Sequence, residues 1–157
     1  NTNVHNHHLS SLLFPLSSCN ANQIGPTSLA YIGDAVYELF VRCRYVWPDR
    51  KTTDLQQKVV STVRAEKQSE LLNKLLHSSS FALSPKEKAI LRRGRNAGGG
   101  SKKKRGPKRL RETSSAEVYQ DSTALEALIG YLYIEDTERC FALIDWLRMR
   151  LDEFDNA

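Results

Sequence analysis

Apolar residues recur along this chain at the helical period, never at the two-residue alternation of a strand. Residues 29–40, LAYIGDAVYELF, are apolar almost without a break, the pattern of a helix buried on every side. Pro26, Thr27 and Ser28 supply start signals, so this helix is predicted to run to about Tyr45 and to stop before Pro48. Its positions 32, 35, 36, 39, 40 and 43 are apolar throughout. Residues 53–76 predict further helix, with apolar positions at 55, 59, 60, 63, 71, 72, 75 and 76 and a bend or break around Ser61–Glu66. Ser84-Pro85-Lys86-Glu87 joins a Ser cap, a Pro at the first helical position and a Glu three residues after the cap. That signal predicts a helix over 85–95, ending in a sharp RRGRNA turn before three glycines. Ser114 and Glu117 repeat the capping pattern before a helix through DSTALEALIGYLYIE, and Asp136 or Thr137 starts a last helix.

The fold class is therefore all-α, five to seven helices with one long basic loop over residues 98–115. Residues 1–24, rich in Asn, Ser and His with little periodicity, read as a poorly ordered tail, and residues 25–157 as one domain. A chain of 157 residues buries roughly 70% of its unfolded surface. No stretch reaches the ~18 apolar residues of a membrane span, and residues 1–41 hold no Lys or Arg, unlike a transit peptide. Cys19, Cys43 and Cys140 are odd in number and far apart, which argues against a disulfide framework or zinc site and for a reducing compartment.

Charge changes the picture more. The net charge of +5 hides ten basic residues and no acid in 92–111 (Arg92, Arg93, Arg95, Lys102, Lys103, Lys104, Arg105, Lys108, Arg109, Arg111), leaving 13 basic against 18 acidic residues elsewhere. Positive charge gathered in one place is the footprint of a polyanion-binding surface. Arginine also makes paired, planar contacts with phosphate oxygens. No aromatic interleaves the run, so contacts to a duplex backbone fit better than stacking on single strands.

Two acids stand alone in oily helices: Asp34 within LAYIGDAVYELF and Glu126 within ALEALIGYLY. A buried carboxylate needs compensation, because desolvating it costs several kcal/mol. Two compensations are open. The helices pack side by side and share a divalent ion, for which Mg²⁺ suits one or two carboxylates plus waters; or each acid pairs with an arginine such as Arg42, Arg44 or Arg64. Glu38, one turn after Asp34, is placed to join such a site. Asp121 falls near the start of its helix, where the helix dipole favours a carboxylate in any case. Gly33 and Gly130, costly inside helices, are read as points of close helix approach.

YIGDAVYE, LRRGRNA and YQDSTALEALIGYLYIE, in this order and at these separations, resemble the Mini-III branch of the ribonuclease III family. TDLQQKVVSTVRAEKQSELL is similar to the helix pair between those motifs, and the resemblance spans about residues 28–152. It implies the family's helical endonuclease bundle, with acids binding Mg²⁺. The signature Asp falls on Asp34, but its companion Glu falls on Ala30; the later D-x-x-E puts its Glu on Glu126 and its Asp on Thr123. Mini-III enzymes share this reduced set and are nucleases. A further family Glu falls near Asp54, a looser match, and Tyr31 takes the place of a Phe that packs across the dimer interface. The resemblance thus implies a homodimer with two active sites that hydrolyses both strands of double-stranded RNA to 5′-phosphate and 3′-hydroxyl ends. The resemblance to Mini-III implies no following double-stranded-RNA-binding domain, so Arg92, Arg93, Arg95, Asn96 and the loop beyond are expected to grip the substrate. The implied substrate is the precursor of 23S (large-subunit) ribosomal RNA, in a bacterial cytoplasm or a plastid. Two rival readings stand beside this one: a non-catalytic RNA-binding scaffold of the same fold, and a helical protein–protein module with an incidental basic loop.

Overall fold

A computed structural model of the protein describes residues 13–99 and 113–156. They form α1 (Pro26–Tyr45), α2 (Thr52–Val63), α3 (Ala65–Leu76), α4 (Pro85–Gly99), α5 (Thr113–Glu135) and α6 (Thr137–Asp155), with a 3-10 turn at Ala21–Gln23 and no strand among the described residues. The all-α class is the one the periodicity predicts, and the expected break in 53–76 falls at Arg64. None of these helices is long and apolar enough to cross a membrane.

α5 is the axis. It touches α1, α3, α4, α6 and the 3-10 turn, and from Asp121 to Leu132 every residue is buried except Glu126, which is half-buried. A helix this apolar must be enclosed, since no polar stripe is left to face water. α1 crosses it at two glycines. A Cβ on Gly33 would overlap the backbone carbonyl of Glu126, and one on Gly130 would overlap that of Leu29. The roughly 1 kcal/mol each glycine costs in helix propensity is offset by backbone-to-backbone approach.

α4 meets α5 in the same way, and this corrects the expected RRGRNA turn. Residues 92–97 are helical, and α4 continues to Gly99. Gly94 is a packing glycine, because a Cβ there would stand 2.7 Å from the Ala124 Cα. The start of α5 also moves earlier than the capping pattern implies: Thr113 opens it, so Ser114 lies inside the helix. Of the basic loop 98–115, residues 100–112 lie outside the described residues. The Ser84 and Glu87 capping box forms as expected, with Glu87 N–H donating to Ser84 Oγ at 3.1 Å and Ser84 N–H to Glu87 Oε2 at 2.7 Å. Arg139 grips the same carboxylate with Nε at 2.7 Å and Nη2 at 2.9 Å, fixing α6 to α4. Burial opposes the Glu87 charge, but Arg139 and the Ser84 N–H outweigh it and hold the carboxyl below its usual range.

The tail 1–24 falls partly outside the described residues. Within 13–24, Ala21 is fully buried, Phe14 stacks on Tyr133 at 4.7 Å, and the Asn20 side chain accepts from Asn22 N–H at 3.0 Å.

One expectation about α1 is overturned. Its core face is Leu29, Ala30, Gly33, Tyr37, Val41 and Tyr45, so the helix is buried on one side only. The face 32, 35, 36, 39, 40 and 43 is open or half-open, with Ala35, Leu39 and Cys43 exposed. Hydrophobicity alone cannot tell a core face from an apolar face kept for something outside the chain.

Gly130→Ala is expected to lower the unfolding free energy by about 3 kcal/mol, at the upper end for overpacking, because its Cβ meets backbone that cannot rotate away. Urea denaturation measures this, and an unchanged midpoint refutes the close crossing.

Candidate active site

The crossing fixes where two carboxylates go. Asp34 follows Gly33, and Gly33 abuts the backbone of Glu126 itself. Both side chains therefore open into one cleft of about 580 Å³ between α1, the α2–α3 break and α5. Tyr31, Arg64 and Gln68 line it as well, together with Ala30 and Thr123. The Thr123 hydroxyl is spent locally, donating to the Tyr119 carbonyl at 2.9 Å.

Burial drives the Glu126 carboxyl up to about 7; a hydrogen bond from Gln68 lowers it, and the Asp34 charge raises it again. Asp34 is accessible to solvent, yet the cleft walls desolvate its carboxyl and Glu38 repels it, so it too lies above the ordinary carboxylate range. A pair of carboxyls that both hold protons this tightly is a site short of positive charge. The arginines considered as partners do not supply it. Arg42 is ion-paired with Glu38, and Arg44 reaches Asp152 and Asp155 on α6, each at 2.7 Å. Arg64 lines the cleft but forms no ion pair with either acid among the described residues.

The other candidate acids are placed elsewhere. Glu38 faces Arg42, and Asp54 sits exposed in the first turn of α2, away from the cleft lining. Asp121 stands two turns inside α5 rather than at its start, buried, ion-paired with Arg95 and accepting from Ser69 Oγ at 2.7 Å. The helix-dipole account of Asp121 is thus replaced by an ion pair between its buried carboxylate and the exposed Arg95. No group of three or more His, Cys, Asp or Glu able to hold a metal occurs among the described residues.

On α4, Arg92, Arg93, Arg95 and Asn96 are all exposed. Arg93 reaches the Ile24 carbonyl at 3.4 Å, and Arg92, Arg95 and Asn96 line a second groove, of about 350 Å³, floored by Leu72, Leu76 and Leu91. Lys102, Lys103, Lys104, Arg105, Lys108, Arg109 and Arg111 lie outside the described residues. Tyr31 is 81% exposed at the cleft rim.

Sequence reading missed Gln68. It is 2% exposed and donates from Nε2 to Glu126 Oε1 at 2.9 Å and to the Val63 carbonyl at 3.2 Å. The available signal is a gap: in α3 the apolar positions at 71, 72 and 75 call for a partner one turn earlier, and a glutamine stands there.

The matching family model is the ribonuclease III domain, over residues 27–137. A Synechococcus protein named Mini-ribonuclease 3 is 46% identical over 84% of this chain and 86% of its own length. One of the same name from Synechocystis is 40% identical over 85% of each chain. Among solved structures, a Fusobacterium nucleatum protein matches with a TM-score of 0.64 at 26% identity, covering 81% of this chain and 93% of that one.

A carboxyl raised in the folded state binds protons more tightly there than in the unfolded chain. The stability it contributes is full below the unfolded value of 4.5 and declines as pH rises through about 7. Glu87, lowered by Arg139, acts in the opposite sense and below that window. The metal-free chain is expected to lose on the order of 2 kcal/mol between pH 5 and 8, and Glu126→Gln to remove most of that slope. Urea unfolding in a chelator reads it; equal slopes in both proteins contradict the assignment.

Proposed function

The chain belongs to the ribonuclease III family and is an endoribonuclease; from that premise we propose that it is a Mg²⁺-dependent homodimer that hydrolyses both strands of double-stranded RNA. The meeting of Asp34 and Glu126 in one cleft carries this reading. Asp34 and Glu126 would hold the ion. They fit it: both donors are carboxylate oxygens, they are charge-deficient as a pair, and the solvent-facing side of Asp34 leaves room for the waters Mg²⁺ retains. When bound, Mg²⁺ supplies charge against a phosphate oxygen and a water of lowered pKa.

The chain's own residues do the rest. Arg64 at the cleft wall, and Arg92, Arg93 and Asn96 along α4, offer donors to phosphates on an A-form duplex, which proteins read by shape and backbone. Asp121 holds Arg95 toward α5, giving that part of α4 a fixed place beside the catalytic helix. The basic residues from Lys102 to Arg111 extend the same grip. Scission yields a 5′-phosphate and a 3′-hydroxyl.

The open face of α1 supports the dimer. Leu39 is 62% exposed and Trp47, just beyond the helix, 79%, while Ala35 and Cys43 complete an apolar stripe. Contiguous exposed apolar surface of this kind marks an interaction site, and a self-complementary patch on one helix suits a two-fold contact. Two clefts related by such an axis would address the two strands. The substrate in this reading is the precursor of large-subunit (23S) ribosomal RNA. The compartment is a bacterial cytoplasm or a plastid, a reading the cyanobacterial relatives support.

With long duplex RNA and Mg²⁺, the native chain is expected to produce short duplexes, and Asp34→Asn to cut at least a thousandfold more slowly while binding RNA as before in chelator. Intact RNA with the native chain sinks the reading; equal cutting by both sinks the site. In sedimentation, Leu39→Glu is expected to convert a dimer to a monomer; a native monomer contradicts the dimer.

A further inference from the structure

We propose that Gln68 is a positioning residue for the cleft: its carboxamide fixes the Glu126 carboxylate in the orientation that receives the divalent ion. This rests on the metal-site reading of Asp34 and Glu126 and adds to it a residue that is not itself an acid.

The amide can sit only one way round. Its nitrogen lies 2.9 Å from Glu126 Oε1 and 3.2 Å from the Val63 carbonyl. Both are acceptors, so exchanging the amide oxygen and nitrogen would set oxygen against oxygen twice. With both N–H groups committed, Gln68 Oε1 is left buried and accepts no hydrogen bond among the described residues. Buried polar groups are nearly always paired, and an exception in a native fold needs a reason. A side chain selected only to fill this place would be a leucine, continuing the apolar face of Leu71, Leu72 and Leu75. What glutamine adds is the bond to Glu126, and that is the one side-chain hydrogen bond the carboxylate receives among the described residues.

The geometry also shows how that bond is made rigid. Val63 ends α2 and Ala65 begins α3, so the second N–H of Gln68 is anchored on backbone at the break between the helices. The carboxylate of α5 is thereby referenced to a fixed point outside its own helix. Groups that orient a ligating carboxylate in this way typically govern metal affinity by tenfold or more.

The test uses the full chain, stripped of metal, with Mn²⁺ as an EPR-visible probe and no RNA. Gln68→Leu and Gln68→Met are both expected to weaken Mn²⁺ binding at least tenfold, with a thermal midpoint within a few degrees of native or above it, since each removes a buried unpaired carbonyl. Thr62→Val loosens the same helix break by deleting a buried hydroxyl bonded to the Lys58 carbonyl, without touching Glu126. It is expected to lower the midpoint and leave Mn²⁺ affinity unchanged. Native affinity in either folded Gln68 variant overturns the proposal, as does an affinity loss that merely tracks the midpoint across Gln68→Met and Thr62→Val. Asp34→Asn and Glu126→Gln separate the two levels of argument. If they too bind Mn²⁺ like the native chain, the metal-site reading has failed; if they lose binding and the Gln68 variants keep it, only the role of Gln68 has.

Discussion

Everything in the cleft depends on two helices touching through their backbones. Gly33 and Gly130 let α1 and α5 approach until a single methyl group would collide with carbonyl oxygen on the facing helix. Ordinary helix pairs stand 8–10 Å apart, held off by the side chains between them. At this closer spacing, the residue following Gly33 and the residue that Gly33 abuts necessarily share one space, and those residues are Asp34 and Glu126. The packing constraint and the chemical site are thus one feature: a bulkier residue at the crossing would part the helices and the carboxylates together. The second glycine crossing, Gly94 against Ala124, applies the same rule at another face of α5 and sets the arginines of α4 beside that helix.

That arrangement is electrostatically costly, and the surrounding charges show that the cost is concentrated rather than shared. Asp121, Glu87 and Asp155 each have an arginine within hydrogen-bond reach. Asp34 and Glu126 have none among the described residues, and both hold their protons above the usual range. The buried Asp121 and Glu87 each have an arginine and this pair has none, which fits the proposed binding of a cation between them.

How much of this the sequence discloses varies by element. Helices α1, α2, α3 and α6, the box at Ser84 and Glu87, and the isolation of Asp34 and Glu126 all follow from period and capping. Three readings fail for physical reasons. Arg92–Ala97 looks like a turn because Gly94 and the three glycines that follow weaken helix propensity, but Gly94 serves a crossing that only the partner helix reveals. Asp121 looks like a dipole-stabilised acid because the start of α5 is masked by polar residues, and its true partners, Arg95 and Ser69, lie on other helices. The apolar run of α1 looks buried all round because sequence carries no sign of whether an oily face meets its own chain. The resemblance to Mini-III identifies the family and the two acids, but the role of Gln68 depends on contacts that no linear pattern contains.

The polar residues of α3 close the argument about how the site is built. Adjacent in sequence, Gln68 and Ser69 reach α5 at two different acids: Gln68 at Glu126 in the cleft, Ser69 at Asp121 beneath Arg95. These two positions on α5 are five residues apart, about 7.5 Å along a helix that rises 1.5 Å per residue. One turn of α3 therefore holds both the carboxylate of the cleft and the acid that anchors a basic side chain of α4. The two parts of the proposed site, the cleft carboxylate and the acid that pairs with Arg95, are thus tied to a common support. In the proposed reading, a phosphodiester set against a metal needs such a separation, and adjacent residues of α3 hold both of its ends.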